Sequence, residues 1–372
     1  MSSADESTVV TACGVHSSLG GGVDGSAAFR CGLVRAQELG EWPAFDEETL
    51  EEYHVAGHPA AGVMEGFQAV ARLAKLGNYA LSDLKSMLGL GTLSGLRIGV
   101  HLAIGTDFAS SAEEGAPERA ERVLRRLEFD EASLGRDLAT TLYPGSSFGV
   151  LHALHSAAAA IRGRHVDACI VGVVDSNLLT QRLTTGLAQR RIKTMDQPVG
   201  FSPGEAAVFL LLECEQSARD RGVRVGPRLA GVSFQPHAVA KEPAAPGGAA
   251  PPSPLPDGVA LQSAIDEALD EAHVDDAATG AILVDLNGET RRAMEFSNAM
   301  LRSAHAAKLQ AWAVEMPGTS FGDTGAASAL QNTALAFVGM GEASARGRAR
   351  LITVSGETGV AGAVLLTEAI DG

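Results

Sequence analysis

The sequence predicts an α/β fold in which mostly parallel sheets are covered by helices, and three observations predict it. "LRIGVHLAIG" (96–105), "DACIVGVVDS" (167–176) and "AAVFLLLE" (206–213) are continuous apolar runs of strand length, the pattern of strands buried on both faces. After residue 257 such strands alternate with helices, an order that lays successive strands parallel across helical crossovers. Between them lies "HAVAKEPAAPGGAAPPSPLPD" (237–257), so rich in proline, glycine and alanine that it reads as an irregular surface loop. The expected organisation is an N-terminal half over 1–236, the loop over 237–257 and a C-terminal half over 258–372.

Taken in order, "ESTVVTACGVHSSLGGG" is a strand that ends in a glycine-rich turn, followed by a helix from about Val23 to Cys31. "SAEEGAPERAERVLRRLEFDEAS" reads as a charged surface helix. Within 143–161 a Pro-Gly-Ser-Ser turn runs into a small-residue helix that leads into the strand at 167–176, and "RLAGVSF" (228–234) is a weaker strand. Beyond the loop, "GVALQSAIDEALDEA" is an amphipathic helix, "GAILVDL" a strand, "TRRAMEFSNAMLRSA" a helix and "QAWAVE" a strand. "GAASALQNTALAFVGM" is a further helix, and "ARLITVS" with "GAVLLTEA" forms a final strand pair.

The 372 residues, 45% of them hydrophobic, suffice for a large core. A net charge of -16 and a pI near 5.0 argue against a nucleic-acid partner, which requires a basic face to displace counterions. Cys13, Cys31, Cys169 and Cys214 are scattered without a C-x-x-C pair, so neither a zinc site nor a disulfide framework is expected. The start "MSSADESTVV" is acidic where a secretory signal is basic, and no apolar run reaches membrane-spanning length; a cytoplasmic protein without a membrane partner is expected.

"YPGSSFGVLHALHSAAAAI" (143–161) has two readings. Ser146 or Ser147 caps the orphan N–H groups of the first helical turn. The positive end of the same helix also suits an oxyanion beside a nucleophilic serine. The residues alone leave both open. His152 and His155, three apart on this helix, have the spacing of a metal pair but no third ligand, so packing is their expected role, and no metal or cofactor is expected.

The order of segments resembles the β-ketoacyl synthases of the thiolase superfamily along nearly the whole chain. "VVTACGVHSSLGGGV" is similar to that family's opening strand and turn, and "VGFSPGEAAVFLLLE" to its Gly-Phe-x-x-Gly-Glu-Gly-Ala segment, with Gly200, Phe201, Gly204 and Glu205 in place. "ALDEAHVDDAATGAILVDLNGET" resembles the segment leading to the family's first active-site histidine, and "TSFGDTGAASAL" the one carrying its second. The resemblance implies a five-layered αβαβα fold of two similar halves, with the helices after Ser147 and after Thr324 as mates in the middle layer. It also implies a homodimer or a heterodimer with a homologous ketosynthase, through a sheet extended near "DACIVGVV", and an acyl carrier protein as a further partner.

The same resemblance places the chemistry. Ser147 falls at the family's nucleophilic cysteine, Asn287 at its first histidine and Asp323 at its second, while Gly318 takes the place of the usual lysine. "SGETGVAG" stands for the final glycine-rich turn that helps to bind the substrate oxygen; Gly356 and Gly359 remain, but its phenylalanine has no counterpart. A serine hydroxyl needs a base before it attacks. Asn287 still donates a hydrogen bond, but an ionised Asp323 beside a developing enolate raises its energy. The implied function is a degenerate ketosynthase-like protein acting by binding, as a silent synthase partner or an accessory protein. The alternative is acyl transfer or hydrolysis with Ser147 as nucleophile, Asp323 as base and Asn287 as carbonyl donor.

Overall fold

A computed structural model describes residues 7–45, 50–60, 62, 66–88, 93, 95–105, 116–129, 138–236, 256–275, 278–341, 348–356 and 360–369. The first stretch of chain runs β1 (Thr8–Ser17), α1 (Gly22–Arg30), β2 (Gln37–Phe45), β3 (Glu52–Gly57), α2 (Ala69–Leu88), β4 (Ile98–Ile104) and α3 (Ala116–Leu124). It continues through β5 (Ala139–Pro144), α4 (Ser147–Arg162), β6 (Ala168–Ser176), α5 (Thr180–Ala188), β7 (Glu205–Cys214) and α6 (Glu215–Asp220). The remainder is β8 (Arg228–Pro236), α7 (Val259–Glu271), β9 (Gly280–Leu283), α8 (Thr290–Arg302), α9 (Ala306–Gln310), β10 (Ala313–Glu315), α10 (Gly318–Phe321), α11 (Ala327–Met340), β11 (Ala349–Ser355) and β12 (Val360–Thr367).

The strand order β5-β4-β6-β7-β1-β8-β12-β11-β9-β10 contains one pattern twice. In each run of five, third, second and fourth strands lie parallel side by side, and the reversed fifth strand pairs antiparallel with both the fourth and the first. Four strands of each five therefore run one way, the mostly parallel arrangement expected. The two sheets meet where β1 touches β8 at a single residue pair, Val9 with Arg228.

Among the described residues three large apolar cores separate five layers, beside a small cluster of Val55, Leu183, Ile192 and Phe201. One joins α2 to the first sheet through Leu73, Leu76, Leu81 and Leu84; one joins α7 to the second through Leu261, Ile265 and Leu269. The third lies between the sheets and contains α4 and α11, the expected mates. Small residues let these layers close. At Gly14 of β1 a side chain is impossible, because a Cβ would stand 2.2 Å from the Ala80 carbonyl oxygen of α2. Glu205, from the segment that resembles the Gly-Glu motif, is fully buried and accepts from Arg72 Nε and Nη2 (both 2.7 Å), Ser176 Oγ (2.8 Å) and the Ala60 N–H (2.9 Å). Its role is to tie α2, β6 and β7 together, since a buried charge needs that many partners.

Two expectations are corrected. Residues 237–255 lie outside the described residues, and β8, which precedes them, pairs along its length with β12, so it is the first strand of the second half. Composition marks an irregular connection without saying which elements it joins. "DACIVGVV" cannot extend a sheet, because β6 is buried along its whole length between β4 and β7. The free edge of that sheet is β5, with Ala139, Thr140 and Thr141 exposed.

The structure adds elements not read from the sequence. α2 carries an apolar stripe through Leu73, Leu76, Ala80, Leu81 and Leu84, a helical period that was legible in "AVARLAKLGNYALSDLKSML". The small β2–β3 ribbon and the edge strand β5 carry no continuous apolar run, and their partners are fixed by tertiary packing. Among the described residues, no helix is long and apolar enough to cross a membrane.

Candidate functional site

The start of α4, where the sequence places a candidate nucleophile, is built by a tight approach of α4 to the end of β5. Gly149 lies so close to the Pro144 carbonyl oxygen that a Cβ would stand 1.9 Å from it. Ser146, with extended backbone at φ -136° and ψ 164°, is the N-cap: its Oγ accepts from the Gly149 N–H at 3.2 Å. Ser147 is the first helical residue, half-buried, and its hydroxyl has no hydrogen-bond partner among the described residues. The two readings of the Ser-Ser pair thus fall on different residues. Beside it, the rings of Tyr143, Phe148 and Phe234 surround exposed His152 at centroid distances of 5.3, 5.7 and 6.3 Å, and His155 stands edge-on to Phe234 at 6.0 Å. The paired histidines pack against rings, and no group of metal-ligating side chains forms among the described residues.

Asn287 and Asp323 are brought together. Asn287 Nδ2 donates to Asp323 Oδ2 at 2.6 Å and to Glu289 Oε2 at 2.9 Å, while Asn287 Oδ1 accepts from the Glu289 N–H at 3.0 Å. Asp323 Oδ1 accepts from the Gly325 N–H (2.8 Å) and Asn177 Nδ2 (3.1 Å), and Arg292 Nη2 stands 3.4 Å from Oδ2. Its backbone is held as well, by Gly204 N–H at its carbonyl and Ser202 at its N–H. No hydrogen bond joins Ser147 to Asp323 or Asn287.

These contacts form one polar network between the halves. Arg182 pairs with buried Asp175 at 2.9 Å and donates to Asn177 Oδ1 at 2.8 Å; Asp175 Oδ2 accepts from the Ala326 N–H at the start of α11 at 2.7 Å. On the far side, Arg292 reaches the Asp285 carbonyl at 3.0 Å, and Asp285 Oδ2 accepts from the Ser355 N–H at 2.6 Å. Glu289 in turn holds Arg191 through two contacts at 2.7 and 3.0 Å. Sequence reading missed Asp175, Asn177, Arg182, Asp285 and Arg292. They lie on two segments more than 100 residues apart, 175–182 and 285–292, and no spacing links the two before the chain folds.

The electrostatics decide what Asp323 can do. Burial alone would push its carboxyl up, but Arg292, the Asn287 amide, the Gly325 N–H and Arg191 outweigh it and hold the carboxyl below the usual range. Such a group is a weak base. The Asn287 amide spends both its N–H groups on carboxylates, so it has none left for a substrate carbonyl. Asp285 differs: burial pushes its carboxyl up to about 6, against Arg292 and the Ser355 N–H, with Glu295 and Asp323 adding repulsion.

Of the turn that stands for the family's last glycine motif, Gly356 donates its N–H to the Val360 carbonyl at 2.8 Å, and Gly359 lies outside the described residues. At Gly318 a Cβ would stand 2.4 Å from the Leu286 carbonyl oxygen, so no lysine fits this backbone unchanged. His58, in no motif, packs its ring on Gly322, which takes a left-handed φ of 71°; burial holds its imidazole below the ordinary value.

The whole chain has the shape of known ketosynthases. A ketosynthase of a type II polyketide synthase, bound to a hexaketide and in complex with its acyl-carrier protein, superposes with a TM-score of 0.71 at 16% identity, covering 98% of this chain and 99% of that one. The oxazolomycin ketosynthase domain of Streptomyces albus JA3453 gives 0.71 at 16% identity, over 99% of this chain and 75% of that one. The ketosynthase from module 6 of the bacillaene synthase of Bacillus subtilis 168 gives 0.71 at 12%, over 97% and 72%. The fold is thiolase-like, as in the ketosynthases. At such identities the likeness establishes the fold alone, and no family model and no curated protein matches the sequence.

Proposed function

We propose that this chain is a ketosynthase-like protein that has lost condensing chemistry and acts by binding, as the silent partner of an active ketosynthase or as an accessory protein in another assembly. One observation carries the reading: the carboxylate at the position of the family's second histidine is consumed by Asn287, Asn177, Gly325 and Arg292, and is held ionised. A group in that state neither stabilises an enolate nor takes a proton from serine. Incubation with acyl- and malonyl-carrier protein is expected to release neither condensed product nor carbon dioxide above a Ser147→Ala control; either product in excess of that control contradicts the reading.

The partner that fits is a second copy or a homologous ketosynthase, joined through the free edge of β5 beside the aromatic face of α4. An acyl carrier protein is the further partner, on the analogy of the similar ketosynthase that is complexed with one. Light scattering is expected to show a dimer, alone or with a co-encoded synthase; a monomer under both conditions removes this part of the proposal. A second reading, acyl transfer or hydrolysis, keeps one observation in its favour: the unpartnered Ser147 hydroxyl at the positive end of a 16-residue helix.

A further inference from the structure

The strand order ends at β10 on one side and at β5 on the other, and the two edges differ. β10 is three residues long and carries Glu315, whereas β5 runs six residues, Ala139–Pro144, without a charge, and its Ala139, Thr140 and Thr141 are exposed. Shortness and charge keep an edge from pairing with another chain; β5 has neither. Beside it α4 presents a stripe at helical spacing, Phe148, His152, His155, Ala159 and Arg162, of which all but half-buried Phe148 are exposed. Its mate in the middle layer, α11, has no such face: every residue of α11 is buried or half-buried.

Strand and helix stand level. They are joined by the tight turn at Gly145 and run back alongside each other, and the ring of Tyr143 meets that of His152 at 5.3 Å. At about 3.3 Å per strand residue and about 1.5 Å per helical residue, Thr141 then comes level with His155. One two-fold axis therefore passes the middle of both, setting β5 against β5 and the histidines of α4 against their own copies. A patch that faces itself meets its own charges, so in a chain of net charge -16 an uncharged face suits a second copy. The edge residues Ala139, Thr140 and Thr141, the stripe from Phe148 to Ala159 and the adjoining Phe234 bring no carboxylate, lysine or arginine; Arg162 lies at the far end of the stripe, away from that axis.

We propose that two copies of this chain pair across β5 and α4, and that His152 and His155 make the pairing proton-dependent, holding as covered neutral imidazoles and parting as imidazoliums. The inference rests on the binding reading above and adds its regulation. In the single chain His152 stands among Tyr143, Phe148 and Phe234, and His155 edge-on to Phe234; both reach water, and water and ring faces stabilise an imidazolium there. Covered by a second copy, the same rings lose water and face each other's charge. No element packed against α4 supplies a compensating anion. β5 brings Tyr143, and β4 brings His101, whose Nδ1 meets the Tyr143 hydroxyl at 2.8 Å and whose imidazole burial holds below the ordinary value. Of the carboxylates on β6 and β7, Asp175 is held by Arg182, Glu205 by Arg72 and Glu213 by Arg221; Arg228 of β8 is held by Glu215. The remaining titratable groups are His16 of β1, stacked on Tyr79, and the thiols of Cys13, Cys169 and Cys214, while β12 and α11 bring none.

Sedimentation velocity of the full chain at pH 8 and pH 5.5, at one ionic strength, tests it. A dimer is expected at pH 8, with a dissociation constant at least about a hundredfold larger at pH 5.5, since each proton that pairing must expel costs about tenfold per pH unit and the axis doubles every histidine. Circular dichroism at both pH values checks that a lost dimer is not a lost fold. His152→Gln combined with His155→Gln, both on the exposed face, is expected to leave a dimer equally strong at both pH values, and Thr141→Arg to leave a folded monomer. If the double variant does not pair, each single variant is expected to pair at pH 8 with a flatter pH dependence. A wild-type dimer equally strong at both pH values, or histidine variants that keep the full wild-type dependence, overturns the proton link and leaves the dimer reading standing. A monomer at pH 8, or a Thr141→Arg dimer as tight as the wild type, removes the interface itself and the proposal with it.

Discussion

The starts of α4 and α11 are topological equivalents, each a middle-layer helix entered from the third strand of its half, and they are held in opposite ways. The α4 start is capped from within by Ser146, and its neighbours are rings and a free hydroxyl at Ser147. The α11 start is held from outside. Asp175 of the other half accepts from its Ala326 N–H, and Asp323 just before it collects donors from Asn177, Asn287, Gly325 and Arg292. On the proposed reading, the contrast separates a position still free to react from one tied into the structure. Ser147 is half-buried and makes no hydrogen bond among the described residues, whereas Asp323 is part of the joint between the halves.

If that contrast holds, Asp323→Ala has the largest effect. It strands Arg292 and three amide donors in a buried site, and a loss of about 3–5 kcal/mol in urea unfolding is expected, as for a broken buried ion pair. A cost no greater than that of removing the α4 cap would break the comparison.

The pH dependence of stability sharpens it. Asp285, at about 6, keeps its proton in the folded protein between roughly pH 4 and pH 6, where the unfolded chain has already lost it. Its contribution therefore makes the fold less stable as pH rises through that window, by about 2–3 kcal/mol in all, and Asp285→Asn should remove this slope. Asp323 acts in the opposite sense: its carboxyl is depressed, so its contribution is present above the unfolded value and is lost only as pH falls below about 4. Denaturation of Asp285→Asn with the wild-type slope between pH 4 and 6 would assign that slope elsewhere.

At the other helix start the effects are smaller. Ser146→Ala removes the cap and is expected to cost about 0.5–2 kcal/mol. Ser147→Ala, whose hydroxyl makes no hydrogen bond among the described residues, should change stability by less than about 0.5 kcal/mol. Equal effects of the two substitutions would show that the cap is shared.

Much of the fold was legible because buried strands announce themselves: β4, β6 and β7 are the apolar runs of the sequence, and all their residues are buried except half-buried His101 and Cys214. β5 was not legible, since an edge strand of "ATTLYP" needs no apolar face, and so the free edge was expected at β6 instead. The site was half legible. The positions of Ser147, Asn287 and Asp323 follow from segment order, but whether Asp323 is a base or an anchor depends on Arg292 and Asn177, which stand 31 and 146 residues away in the chain. Residue type cannot distinguish those roles; the charge and hydrogen bonds around the carboxylate do.

Intact-mass measurement of the protein treated with a fluorophosphonate probe, or with an activated acyl thioester, tests most directly that the Ser147 position has no working base. The mass is expected to stay unchanged, because Asp323 is ionised, buried and fully bonded away from the serine. Rapid addition of one adduct mass that disappears in Ser147→Ala and slows in Asp323→Asn would contradict the account and restore the enzyme reading.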